Sequence, residues 1–383
     1  MMTRGRSTTR QRRPAIAAKD GPGISHSDIA DHNSRAVLEI LRVAGPLTRR
    51  ELSARVGLTE PAITGILRRL QDDGLVASRR QSNANRYPST EFLIRRNGAV
   101  AVGIRLLPTR AELLLINLAG ETLAERHDIP AAEAAMAALA LAQDKPAGAR
   151  LIGIGLVSAP SLVVDVEALR QTLAPLPLVF SPDTAAAVTA ERLYGYGEHD
   201  GSLVSLILAE DGVRAGLSIA GRPFSGRHGF AGSIGAMHTG RDRASLSERV
   251  SVSALTERLR RAEADGVAAT EAAADWAGEA ASHLLDAAVA ISGLLAPGML
   301  VVGGDLPADI VDMVIAQMER ERLDKASRPM ASPWMPPIRS SRLPAAGITT
   351  GAALLPFLEF LLPNPQPARE ASSAQVAAAS ASG

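Results

Sequence analysis

Between Thr48 and Arg80 the apolar positions change their spacing twice, and each change marks a new element. Leu52 and Val56 lie four apart, the spacing of one helix face. Ile63, Ile66, Leu67 and Leu70 then recur as a second helical stripe. Leu75 and Val76 begin a strand, and Thr90–Ile94 brings the chain back after the polar tip QSNANRYPS. The punctuation fits this reading. Thr48 with Glu51 three residues on forms a capping box for the first helix. Gly57 ends it, because glycine enters the left-handed region without a Cβ clash. Thr59 caps the second helix, and Pro61 is tolerated in its first turn. Gly74 closes that helix. An earlier helix is expected to start at Asn33 or Ser34, to face Val37, Ile40 and Leu41 inward, and to break at Gly45-Pro46.

The sum is a winged helix-turn-helix. Opposite its apolar stripe, the second helix carries Pro61, Thr64, Gly65 and Arg68, with Arg69 at the edge. That face is small at its start and basic further along, as a helix entering the major groove requires. Thr59, Pro61, Thr64, Gly65, Arg68 and Arg69 are therefore the expected reading residues. Arg79, Arg80 and Arg86 on the hairpin are placed to touch backbone phosphates, or else are solvated arginines on a wing.

Charge supports the division. The net charge of +1 conceals an asymmetry: residues 1–30 hold six basic and two acidic side chains, and residues 31–97 hold twelve and seven. The remainder is therefore acidic, at −8. The basic end is the nucleic-acid end. Residues 1–30 read as a disordered basic tail, either merely solvated or an arm for phosphates and minor groove. Cysteine is absent, which excludes disulfides, thiolate metal sites and cysteine nucleophiles. The Arg-rich start lacks an apolar core, so no secretory leader is expected. The most apolar run, Ala287–Val302, contains Pro297 and Gly298 and reads as a helix end followed by a buried strand, not a membrane span. A cytoplasmic protein is the expectation.

From Ala99 the pattern becomes α/β. AVAVGIRL and AELLLINL form a strand pair, Ala131–Gln143 a helix, and LIGIGLVSA a buried strand whose glycines mark close backbone approach. A short strand at Leu178–Phe180 leads through Ser181-Pro182-Asp183 to a helix over Ala185–Tyr194. Ser202–Leu208 and Ala215–Ile219 pair around Asp211-Gly212. Residues 245–296 are largely helical; MLVVGGD is a strand; Asp309–Arg322 and Gly347–Leu362 are helices. Strands alternating with helices imply a two-lobed α/β body over residues 98–362 behind a DNA-binding unit at 31–97, with a tail at 363–383.

Four stretches resemble the ROK family (repressor, open reading frame, kinase), in its transcription-regulator branch. They are LTEPAITGILRRL, PDTAAAVTAERLYG, HGFAGSIGAMH, and PGMLVVGGDL with GITTGAALL. The resemblance covers residues 33–362 and implies an actin-like ATPase fold of two lobes around a cleft, with dimers or tetramers formed through the body. It places Asp183 on the sugar-binding or catalytic aspartate, unless Asp183 only caps the following helix. Glu248 is placed on a family glutamate, unless it is a plain surface residue.

The departures from that family bear on activity. Its phosphate loop needs a metal-holding Asp and glycines whose amides reach phosphate. Here Arg105 stands for the Asp, Leu107 and Pro108 stand for the glycines, and proline has no N–H to offer. The second loop carries Glu210 and Asp211, which repel phosphate. In the signature Ser233 replaces a Glu and Ala236 replaces a zinc-binding His, with no cysteine to complete a zinc site. His228 and His238 flank the signature without further ligands at workable spacing. The expectation is a regulator of transcription, a repressor, that is not an enzyme and needs no cofactor. It would bind double-stranded DNA as a homo-oligomer and answer to an unidentified small molecule if to any. The alternatives are an active sugar kinase fused to a DNA-binding unit, and an architectural DNA-binding protein that takes no ligand.

Overall fold

The computed structural model describes residues 26–81, 89–196, 202–226, 229–240, 243–323, 335–343 and 347–363. The N-terminal unit comprises α1 (His26–Ala44), β1 (Leu47–Thr48), α2 (Arg49–Val56), α3 (Glu60–Asp72), β2 (Val76–Gln81) and β3 (Ser89–Ile94). Its sheet has the order β1-β3-β2, with Leu47 opposite Phe92 and Val76 opposite Ile94. Leu52, Ile63, Leu67, Leu70 and Phe92 are buried against Val37, Leu38 and Leu41 of α1. The capping box of Thr48 and Glu51 is formed, and Gly57 ends α2 at φ 74°. Thr59 occupies the N-cap of α3, but its side chain makes no capping hydrogen bond. The first helix begins at His26, well before Asn33 or Ser34. Its leading turns hold only Ile29 and Ala30 as apolar residues, so no stripe betrays them.

The body contains two five-stranded sheets. The first has β4 (Ala99–Leu106), β5 (Arg110–Asn117), β6 (Thr122–Pro130), β7 (Arg150–Ser158) and β8 (Leu178–Pro182), in the order β6-β5-β4-β7-β8. Helices α4 (Ala134–Leu141) and α5 (Val166–Leu173) belong to this lobe. Helix α6 (Asp183–Ala190) follows β8, and a π-turn over Glu191–Gly195 extends it.

The second sheet has β9 (Ser202–Ala209), β10 (Gly212–Ile219), β11 (Arg222–Pro223), β12 (Met299–Gly304) and β13 (Ile338–Ser340), in the order β11-β10-β9-β12-β13. Packed with it are α7 (Leu246–Val250), α8 (Val252–Ala264), α9 (Ala269–Leu295) and α10 (Ala308–Leu323). Strand β6 had no counterpart in the sequence reading, because TLAERHDIP is mostly exposed and has no apolar run. The apolar stretch near residue 295 divides as expected into the end of α9 and the start of β12. Among the described residues no helix is long and apolar enough to cross a membrane.

Helix α11 (Gly347–Phe360) packs with α6 between the two sheets. This layer is thin because glycines face it from both sides. A Cβ on Gly155 of β7 would collide with the Ala352 carbonyl of α11, and one on Gly216 of β10 with the Thr184 carbonyl of α6. Val157, Ala186, Ala187, Ile207, Ile348 and Ala352 fill the space that remains.

The winged helix is docked on this body rather than tethered to it. Its core runs on without a break into Ala101, Leu354, Phe357, Leu358 and Leu362. At the seam Arg42 of α1 donates to the Leu193 carbonyl at 3.1 Å, and its guanidinium stacks 4.6 Å from the Tyr194 ring centre. Tyr194 in turn donates its hydroxyl to the Leu118 carbonyl at 3.1 Å.

Candidate nucleic-acid interface and interlobe cleft

Helix α3 buries Ile63, Ile66, Leu67 and Leu70. The 3.6-residue period then leaves Pro61, Thr64, Gly65 and Arg68 on the opposite face, and all four are exposed, as are Thr59, Ala62 and Arg69. The Thr64 hydroxyl donates back to the Glu60 carbonyl at 2.8 Å. Nothing lies within 4 Å of where a Gly65 side chain would begin. Arg69 leans toward Ser34 of α1, with Nη2 and Oγ 3.5 Å apart.

On the wing, Arg79 is 58% exposed but donates to Glu91 across the hairpin at 3.0 Å, which neutralises part of its charge. Arg80 is exposed, and Arg86 lies outside the described residues. The sequence reading passed over Arg49, Arg50 and Arg55 on α2, which are exposed as well.

The cleft is built around buried charge. Asp183, the first residue of α6, is 2% exposed. It does not cap the helix: Pro182 holds the N-cap position, and Asp183 Oδ2 accepts from Arg214 Nη2 at 2.9 Å. Arg214 also donates to Asp211 at 2.8 Å. Among the described residues Asp183 Oδ1 is buried without a hydrogen-bond partner. Burial pushes the Asp183 carboxyl above the usual carboxylate range, against the opposing pull of Arg214 and Arg105.

Arg105 of β4, also 2% exposed, reaches across to the second lobe and holds Asp305 in a two-pronged pair at 2.5 and 2.8 Å. It donates to Glu112 of β5 at 3.2 Å as well. Burial opposes the charge on Arg105, but Asp305 and Glu112 outweigh it and raise the guanidinium pKa above its ordinary value. Glu112 also accepts from Thr349 of α11, and Asp305 from the Glu210 amide, each at 3.2 Å. Arg110 adds a second bridge between the lobes, to Glu210 at 2.8 Å.

A cavity of ≈ 80 Å³ remains beside these pairs, walled by Arg105, Leu107, Pro108, Leu162, Asp183 and Arg214. Several amides of the loops beside it are engaged elsewhere. Leu107 N–H donates to the Arg110 carbonyl at 2.8 Å, and Pro108 has no N–H. Glu210 N–H serves Asp305, and Val213 N–H serves Ser247 at 3.0 Å.

The structure places Glu248 away from this cavity. It sits in the first turn of α7, where its carboxylate accepts from the backbone and hydroxyl of Ser245 in a second capping box. Those bonds hold its carboxyl below the usual range. Ser233, Ala236 and His238 are exposed, and His228 lies outside the described residues. Among the described residues no three His, Asp or Glu side chains stand close enough to hold a metal ion. The partners missed in the sequence were Asp305, Glu112 and Arg214. Asp305 offered one signal, as an acid placed directly after the glycine pair at the end of β12.

Comparison with known proteins agrees with this architecture. Residues 30–77 match the family described as winged helix-turn-helix DNA-binding. An uncharacterised protein of Sinorhizobium fredii, y4fQ, is 26% identical over 361 residues, which cover 85% of this chain and 90% of that protein. A crystal structure of a ROK family transcriptional regulator, a homologue of the E. coli MLC protein, superposes with a TM-score of 0.68 at 20% identity. The match covers 86% of this chain and 96% of that one. A ROK family glucokinase from Streptomyces griseus, solved with glucose and AMPPNP, gives 0.55 at 18% identity over 67% of this chain and 98% of its own. The chain thus joins a winged helix-turn-helix of the DNA-binding kind to a two-lobed body with the fold of the ROK proteins.

Proposed function

We propose that the chain is a sequence-specific DNA-binding regulator of transcription, acting as a repressor in the cytoplasm, with a body that has given up ATP and zinc chemistry. The observation that carries the regulator reading is the outer face of α3: small residues at its start, Arg68 one turn on, and an apolar stripe on the opposite side that fixes its orientation. The likeness to a ROK transcriptional regulator over 86% of the chain supports it. The loss of phosphate chemistry is supported by Arg105, which stands in the phosphate loop with two carboxylates already on its guanidinium. No amide of Leu107 or Glu210 is left to meet a phosphate.

The regulator acts as a homodimer or tetramer, because one winged helix reads a short half-site and specificity needs two at fixed spacing. Any effector occupies the cavity beside Asp183 and is not a simple hexose. Ser233 and Ala236 cannot supply the carboxylate and imidazole that would satisfy sugar hydroxyls, and each buried hydroxyl left unpaired costs ~1–3 kcal/mol. Genomic footprinting of the full chain tests the reading. A few palindromic sites beside regulated genes are expected, whereas broad coverage would mean an architectural protein. The kinase reading, favoured by the likeness to a ROK family glucokinase, is tested by hexose-dependent ATP turnover, which should be absent.

A further inference from the structure

The outer face of α3 presents two different chemistries, and the inference drawn from them deepens the DNA-binding reading above. Thr64 is exposed, yet its one hydroxyl hydrogen is committed to the Glu60 carbonyl at 2.8 Å. A threonine has a single O–H to donate. What it can present outward is a methyl group and, at most, a hydroxyl lone pair. Around it the face is apolar and low, with Pro61 exposed one turn before and open space at Gly65. In the major groove a surface of this kind fits the 5-methyl group of thymine, which carries no hydrogen bond to satisfy.

Arg68 lies four residues on, on the same face, about 6 Å along the helix axis. It is exposed, and among the described residues no hydrogen bond or ion pair holds its guanidinium. Its neighbours differ: Arg69 leans on Ser34 and Arg79 is paired with Glu91. A guanidinium so placed matches the two acceptors of guanine. The net charge of +5 over residues 31–97 favours the duplex as occupant of this face. We propose that each half-site contains a thymine, read through its methyl group by Thr64 with Pro61, and a guanine read by Arg68. The spacing of the two side chains sets the bases within about two base pairs of one another, at 3.4 Å per step.

Selection of bound duplexes from a random pool with the full chain gives the site, and binding titrations then dissect it. Replacing the selected thymine by deoxyuridine removes only the methyl group. It should weaken wild-type binding about three- to five-fold, the worth of one buried methyl. Thr64→Ser should bind the thymine and uracil sites alike, and Thr64→Val should keep the wild-type preference. Arg68→Ala should lose about tenfold or more of the preference for guanine.

Insensitivity to uracil, or a preference kept by Thr64→Ser and lost by Thr64→Val, would overturn the methyl reading in favour of a hydroxyl contact. A guanine preference intact in Arg68→Ala would overturn the assignment of Arg68. Binding without any enrichment would refute this inference alone. Failure to bind duplex DNA at low salt would refute the regulator reading as well. Both positions are exposed, so the three variants should melt like the wild type.

Discussion

Replacing Arg105 by alanine should destabilise the body by about 3 kcal/mol. The side chain is 2% exposed and makes both prongs of the pair with Asp305, as well as the contact with Glu112. Its removal leaves two carboxylates facing each other across the lobes without a counter-charge. Breaking a buried pair from one side costs about 3–5 kcal/mol, mostly the price of the stranded charge. Asp305 and Glu112 are 20% and 19% exposed, so water reaches them in part and the lower end applies. Urea titration is the assay, and the transition midpoint should fall with little change in slope. The control is Arg105→Met with Asp305→Leu, which removes both members of the pair. Apolar replacements of buried pairs are often near neutral, so this double variant should recover at least half of the loss. A cost below about 1 kcal/mol for Arg105→Ala, or a double variant no better than the single, would refute the view that these charges are held in mutual dependence.

Thr48→Ala should cost about 1 kcal/mol through loss of the α2 cap, seen as a lower melting temperature of the full chain. Glu51 in the same box has its carboxyl held below the ordinary value of 4.5 by the Thr48 amide and hydroxyl. Its contribution is therefore present above pH 4.5 and fades as the pH falls through the lowered value, and Glu51→Gln should flatten that part of an acid titration of stability. Arg80→Ala on the wing should weaken binding to all duplexes alike and reduce the slope of log K against log salt by about 0.9. Gly155→Ala should be destabilising by at least about 1–3 kcal/mol in a denaturant melt, since the added methyl meets the Ala352 carbonyl and α11 has no free space to move into.

What could be read in advance was what is local. The box of Thr48 and Glu51, the stop at Gly57 and the stripe from Ile63 to Leu70 each depend on residues a few positions apart, and each appears in the structure. The same rule applied at Ser245 would have shown that Glu248 completes a second box three residues on, and its carboxylate is used there. Asp183 could be singled out but its partner could not. Arg214 lies 31 residues away on another lobe, and only the fold of α6 onto β10 brings the two together. Arg105 and Asp305 are 200 positions apart, and no periodicity connects them. The departures at Arg105 and Pro108 from the family pattern were legible in the sequence. The tie that Arg105 makes across the cleft was not, because such a contact exists only between lobes.

Helix α11 has a consequence for anyone who would treat the DNA-binding unit as a detachable module. One end of the helix, at Thr349, touches Glu112 in the cleft, and the other, from Phe357 to Leu362, lies in the same apolar cluster as Val37, Leu38 and Leu41. A rod of 14 residues, about 21 Å long, therefore joins the cleft to the seam with the winged helix. Cutting the chain near Ile94 would bare the side of the apolar cluster that Phe357, Leu358 and Leu362 cover and leave a sticky fragment in place of a portable reader of DNA. A graft of this winged helix onto another protein would have to carry with it a replacement for the tail of α11, built from side chains as large as Phe357 and Leu358.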